Sequence, residues 1–137
     1  MKFTISLFPE IYAICRLPAG SEVPCWVSGR EFLSVTHTEE ELSIVCQQDK
    51  VPPEIECERG WRCLKIEAHL DFALLGVLAS LTTALAGRGI SVFVVSTFQT
   101  DYLLVRDRQA DRAVAVLTGL GHDLVENKQY CPASDGR

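Results

Sequence analysis

Residues 96–101, Ser96-Thr97-Phe98-Gln99-Thr100-Asp101, set three hydroxyls, one ring and one carboxylate side by side. Hydroxyls and the free amides at a strand end bind carboxylates, and an aspartate such as Asp101 pairs with a cationic group. Apolar runs flank the segment, ISVFVV before it and YLLV after it. A rigid scaffold that presents one small polar cluster is how small-molecule sites are built. Thr97, Phe98, Thr100 and Asp101 are therefore candidate ligand-binding residues. Threonine and aspartate also suit a bare hairpin turn, but a turn alone gives no reason for an exposed Phe98.

Two residues upstream add to the candidate site. Asp71 stands just before an apolar helical run, where its carboxylate can cap the first free amides. The same helix start attracts an anion such as an α-carboxylate. Gly76 falls inside the helix, where glycine costs about 0.5–1 kcal/mol relative to alanine. That cost points to a close approach by a helix, a backbone or a ligand. The helix, Phe72 to about Ala86, is apolar almost all round, which predicts two buried faces, one of them an interface.

Other chemistry is not legible. No G-x-S-x-G, H-E-x-x-H, phosphate loop or G-x-G-x-x-G is present, and no cofactor is expected. His37, His69 and His122 are scattered without a second ligand at metal spacing, so they read as surface or structural residues. The six cysteines, Cys15, Cys25, Cys46, Cys57, Cys63 and Cys131, contain no C-x-x-C pair. Several lie in apolar strand patterns, where a free thiol behaves as a small hydrophobe; reduced thiols are expected ahead of a disulfide or a metal site. No nucleophile–base pair is visible, which argues against an enzyme. Eighteen acidic residues against 13 basic ones give a net charge of -5. That balance argues against a nucleic-acid partner. Pro9-Glu10 ends the first apolar run too early for a signal-peptide core, and polar residues interrupt Leu70 to Leu85, so neither export nor a membrane span is expected. The reading is a cytoplasmic protein.

The elements that position the candidate site read most clearly in the second half. Trp61 to Ala68 is a strand candidate. The helix that follows ends at Gly87-Arg88-Gly89, where glycine supplies a left-handed cap. Ile90 to Ser96 is nearly continuous in apolar character, which predicts a strand buried on both faces. Tyr102 to Arg106 is its hairpin partner. Arg108 to Leu120 has helical spacing, and His122 to Glu126 is a last short strand. The order β-α-β-β-α-β is the ferredoxin-like plan, a four-stranded antiparallel sheet with two helices on one face.

The first half has strands and no long helix: Phe3 to Phe8, Ile11 to Leu17, Cys25 to Val27, Phe32 to Thr36 and Leu42 to Cys46. Val51 to Glu58 reads as a connection. A shift of about 60 residues lays Phe32 to Cys46 over Val92 to Arg106, with Val35 on Val95 and Glu41 on Asp101. The expected organisation is an N-terminal unit over 1–57, a complete βαββαβ unit over 58–127, and a loose tail over 128–137.

The run from Leu70 to His122, above all GIS…STFQTDY…LLV, resembles the ACT domain, in particular the subgroup near aspartate kinase regulatory domains and cytosolic arginine sensors. Phe32 to Cys46 and Glu58 to Phe72 are similar to small two-ACT bacterial proteins of that subgroup. The resemblance implies an α+β fold of tandem ferredoxin-like (βαββαβ) ACT units, the N-terminal one shortened and strand-rich. It implies a ligand pocket between units, lined by the positions of Thr97, Phe98 and Asp101, with the acidic residue reading a guanidinium. The strand at Ser34-Val35 and the helix start near Gly76 would add backbone contacts. It further implies a homodimer through ACT units. The expected function is a non-catalytic regulatory protein that binds an amino acid or similar small metabolite; the alternative is an ACT-fold interaction module without a small ligand.

Overall fold

The computed structural model describes residues 3–29, 31–67 and 74–126. Seven strands and two helices follow in order: β1 (Thr4–Pro18), β2 (Ser34–His37), β3 (Glu41–Gln47), β4 (Cys57–Glu67), α1 (Leu74–Ala86), β5 (Val92–Ser96), β6 (Asp101–Arg106), α2 (Ala110–Gly119) and β7 (Asp123–Glu126). They form two compact units, residues 10–61 and the remainder of the described chain. The fold is α+β, with both helices in the larger, ferredoxin-like unit and no α-helix among the described residues of the smaller one.

In the larger unit the sheet runs β7-β1-β4-β6-β5. The first residues of the chain supply a strand that the four-stranded plan does not contain. Thr4 to Leu7 pair in parallel with Asp123 to Glu126, Ile5 opposite Leu124. The core beneath this sheet gathers Ile5, Leu64 and Ile66 from the strands and Val77, Leu81 and Leu85 from α1, with Leu103, Val105, Ala113 and Leu117. Both helices end in the same way. Ile90 N–H bonds Leu85 O at 3.0 Å and Gly89 N–H bonds Ala86 O at 3.0 Å, with Gly89 at φ +73°. His122 N–H bonds Leu117 O at 3.3 Å and Gly121 N–H bonds Thr118 O at 2.9 Å, with Gly121 at φ +101°. These are Schellman closures, which need a residue free to adopt the left-handed region.

Several expectations are corrected. The run Ile90 to Ser96 is not buried on both faces: β5 is the last strand of the order, and Val94 is 39% exposed. A continuous apolar pattern cannot separate a central strand from an edge strand whose outer side is uncovered. Helix α1 buries one face through Val77, Leu81 and Leu85, while Ala79, Ser80, Thr83 and Ala86 are exposed. The two N-terminal strand candidates are one strand, β1. Pro9 lies between the stretch that pairs with β7 and the stretch that pairs with β3, so neither of these two ladders needs its missing N–H. Residues 25–27 are not a strand: Val27 N–H bonds Pro24 O at 3.1 Å and closes a turn.

The smaller unit contains β2, β3, residues 10–18 of β1 and the beginning of β4. Tyr12 pairs with Gln47 and Leu17 with Leu42, so β1 and β3 are antiparallel. Its core is Ala13, Cys15, Leu42, Ile44, Cys46 and Val51, covered by Trp26, Val27, Leu33 and Ile55 from loops. Lys50 anchors one of these loops by bonding Ser28 O at 2.9 Å and pairing with the Glu31 carboxylate.

Candidate functional site

The hairpin β5–β6 pairs Ser96 with Asp101, and Thr97 N–H bonds Thr100 O at 2.8 Å. Only Phe98 and Gln99 are left to turn the chain. Two-residue hairpins usually need positive φ, yet no described residue other than glycine has one. Thr97 supplies the missing closure. Its hydroxyl donates to Thr100 O at 3.0 Å and accepts from Thr100 N–H at 3.2 Å. Thr100 in turn donates its hydroxyl to Ile66 O at 2.6 Å, tying the hairpin tip to β4. Both threonine hydroxyls thus hold the scaffold, which the residue types alone did not reveal.

That leaves Phe98 and Asp101 as the groups the tip presents. Phe98 is 94% exposed. Asp101 is half-buried and forms no ion pair or side-chain hydrogen bond among the described residues. Behind them, Tyr102 packs edge-on against Phe8 with ring centroids 6.3 Å apart, and its burial raises the phenol pKa. Lys65 and Glu67 on β4 pair at 3.4 Å, and Glu67 accepts the Ser6 hydroxyl at 2.7 Å.

The remaining candidates are distributed. Gly76 is exposed in the first described turn of α1, and a Cβ built on it meets nothing within 4 Å. The close approach expected from its helix cost is therefore not made by the described residues. Ser34 and Val35 lie on β2 in the smaller unit, opposite Val45 and Ile44, with Val35 41% exposed. Asp71 lies outside the described residues. The structure thus brings Thr97, Phe98, Thr100 and Asp101 together on one hairpin. His122, read from sequence as structural or superficial, is buried; its Nδ1 accepts Phe3 N–H at 3.1 Å. Among the described residues no three of His, Cys, Asp or Glu group to hold a metal.

A second hairpin repeats the first. Thr38 N–H bonds Glu41 O at 2.9 Å, and the Thr38 hydroxyl accepts from Glu41 N–H at 3.1 Å. The 3-10 turns that follow start at Gln48 and at Asp107. Both comparisons fix the repeat at 59 residues, one less than the pattern match, so that Thr38 matches Thr97 and Val35 matches Val94. Thr38 was missed because its signal, one threonine at a matching turn position, is visible only once the register is known.

A family model described as the ACT domain matches residues 56–119, and one described as an N-terminal domain matches residues 10–54. Residues 56–119 thus form an ACT domain. An Agobacterium tumefaciens protein of known crystal structure shares 34% identity, with a TM-score of 0.88 over 96% of this chain and 98% of that one. The ligand-free regulatory subunit of aspartate kinase from Thermus thermophilus shares the fold at 9% identity, with a TM-score of 0.60 over 84% of this chain and 95% of that one. Among curated proteins, the cytosolic arginine sensor for mTORC1, subunit 1, of Homo sapiens and of Pongo abelii is 28% identical over 99 residues, or 64% of this chain. The ACT chain spans 30% of the length of those two relatives. No helix among its described residues is long and apolar enough to cross a membrane.

Proposed function

We propose that this ACT protein is a non-catalytic regulator that binds an amino acid or similar small metabolite at the β5–β6 hairpin. The observation that carries the reading is the tip itself. Two threonines are spent on rigidity, while an exposed aromatic ring and a half-buried carboxylate that has no side-chain partner among the described residues remain at the tip. Asp101 would pair with the cationic group of the ligand and Phe98 would cover its apolar part. The name of the curated relatives supports arginine as one candidate among cationic amino acids. Ser34, Val35, Asp71 and Gly76 remain proposed contributors through backbone contacts and, for Asp71, the helix start.

Cytoplasmic location and a homodimer through ACT units belong to the same reading. The edge strands support the dimer: Val35 on β2 and Val94 on β5, equivalent in the repeat, are 41% and 39% exposed. The same valines favour the second reading, an interaction module without a small ligand.

Thermal unfolding of the full chain against the standard amino acids separates them. A ligand at about 100 times its Kd adds about 2.7 kcal/mol. A rise confined to a few amino acids and absent in Asp101→Ala supports the sensor. A flat panel, with Asp101→Ala leaving self-association unchanged, overturns it in favour of the interaction module.

A further inference from the structure

The smaller unit carries a group of thiols with no part in the hairpin site. Cys15 on β1 and Cys46 on β3 are buried, and Cys57 at the start of β4 is half-exposed. Cys57 packs against the buried cluster that contains the other two.

Strand register decides which two can join. Arg16 N–H bonds Glu56 O at 3.0 Å. A bond between the residues that flank Cys15 and Cys57 sets these two directly opposite as a non-hydrogen-bonded pair of antiparallel strands. In such pairs the α-carbons are about 4.5 Å apart and the side chains are at their closest. Disulfides need an α-carbon separation of about 4.4–6.8 Å, so the pair meets that condition without backbone movement. Cys46 does not. On β3, Cys15 faces Ile44 and Cys46 faces Ala13, which makes Cys15 and Cys46 diagonal neighbours. Diagonal positions stand about 7–8 Å apart, outside the disulfide range.

Exposure sets the order of events. Cys15 is 1% exposed and Cys46 2%, so an oxidant dissolved in water reaches Cys57 first. We propose that Cys57 and Cys15 form an oxidation site for hydroperoxides, Cys57 as the attacked thiol and Cys15 as the resolving one. The Cys57 thiolate attacks one oxygen of hydrogen peroxide; an S–O bond forms, the O–O bond breaks, and hydroxide leaves to become water. The Cys15 sulfur then attacks the Cys57 sulfenic acid; the S–S bond forms, the S–O bond breaks, and a second water leaves with the Cys15 proton. Two thiols lose two electrons and one peroxide gains them. Burial pushes the Cys57 thiol up, so the thiolate is scarce at neutral pH and the first step accelerates as pH rises.

Hydrogen peroxide titration of the full chain in native buffer tests the site, with alkylation of remaining thiols and peptide mapping. A background of Cys25→Ala with Cys131→Ala removes the exposed thiol among the described residues and the cysteine outside them. The expected product is one intramolecular Cys15–Cys57 link, formed at least tenfold faster at pH 9 than at pH 7, with Cys46 and Cys63 alkylated only after unfolding. Cys57→Ser should leave Cys15 reduced, and Cys15→Ser should leave a Cys57 sulfenic acid that dimedone captures. A Cys15–Cys46 link overturns the proposal. So does the absence of any link in the native wild-type chain under peroxide doses that oxidise the unfolded chain; that measurement needs no cysteine variant at positions 15 or 57.

Discussion

Replacing Thr97 by valine keeps the shape and β-branching of the residue and removes only its hydroxyl. That hydroxyl makes two bonds to Thr100, at 3.0 Å to the carbonyl and 3.2 Å from the amide. The carbonyl keeps its 2.8 Å bond from Thr97 N–H, so one amide loses its only turn partner. Each neutral hydrogen bond contributes about 0.5–1.5 kcal/mol. The tip is exposed and water can replace part of the loss, so Thr97→Val should destabilise by about 1 kcal/mol. In a chain of this size that lowers Tm by roughly 2–6 °C. Urea and thermal unfolding, followed by two probes to check for a single transition, measure it. Thr38→Val removes the equivalent hydroxyl of the other hairpin and should cost a similar amount. The reasoning fails if Thr97→Val leaves stability unchanged while abolishing an amino-acid-induced rise in Tm. The hydroxyl would then belong to the ligand and not to the turn.

Gly76→Ala should stabilise the chain by about 0.5–1 kcal/mol, because the added methyl meets no atom within 4 Å and alanine is the better helix former; lowered stability by urea unfolding would place a close neighbour there. Burial holds the His122 pKa below its ordinary value. Stability from this residue should therefore be complete above the unfolded pKa of about 6.5 and fall as pH drops toward the folded value; a urea midpoint whose acid limb is unchanged by His122→Gln contradicts it. Lys50→Met should destabilise by about 1–3 kcal/mol, since it removes one partner of the Glu31 carboxylate, whose side chain is 6% exposed, together with the bond to Ser28 O; unchanged stability by urea unfolding would mean the pair does not anchor its loop.

The hairpin that groups the candidate residues was more legible than its surroundings. Thr97, Phe98, Thr100 and Asp101 stand out because hydroxyls, a ring and a carboxylate interrupt two apolar strands, and the hairpin does place them together. The helix ends were legible too, since Gly89 and Gly121 follow the last periodic residues and both adopt positive φ. What failed depended on partners distant in sequence. The insertion of Thr4 to Leu7 beside β7 has no local signature, because parallel pairing joins residues more than a hundred positions apart. The edge position of β5 was hidden because Val92, Val94 and Val95 read alike whether a neighbouring strand covers them or not. The internal repeat was found one residue out of register, since apolar alternation tolerates a slip that only the turn bonds of Thr38 and Thr97 remove.

The repeat also explains why the two units differ. In the larger one, the 3-10 turn at Asp107–Gln109 leads directly into α2 from Ala110. At the matching point after Gln48–Lys50 the chain reads Val51-Pro52-Pro53. Proline lacks the amide a helix needs, and the residue before it is steered to extended backbone; Val51 is extended, at φ -87° and ψ 123°. The two prolines hold Val51 and Pro52 off the helical region, residues 51–56 are not helical, and the core of this unit is covered by loops. Trp26, Val27, Leu33 and Ile55 do this, and the Lys50 bond to Ser28 O holds the loop that carries the first two. Within this loop-covered core Cys15 is buried, while Cys57 at its margin is partly exposed. The oxidation proposed at Cys57 thus concerns the unit whose core is covered by loops and not by a helix. In the larger unit α2 supplies that cover, with Ala110, Ala113 and Leu117 in the core.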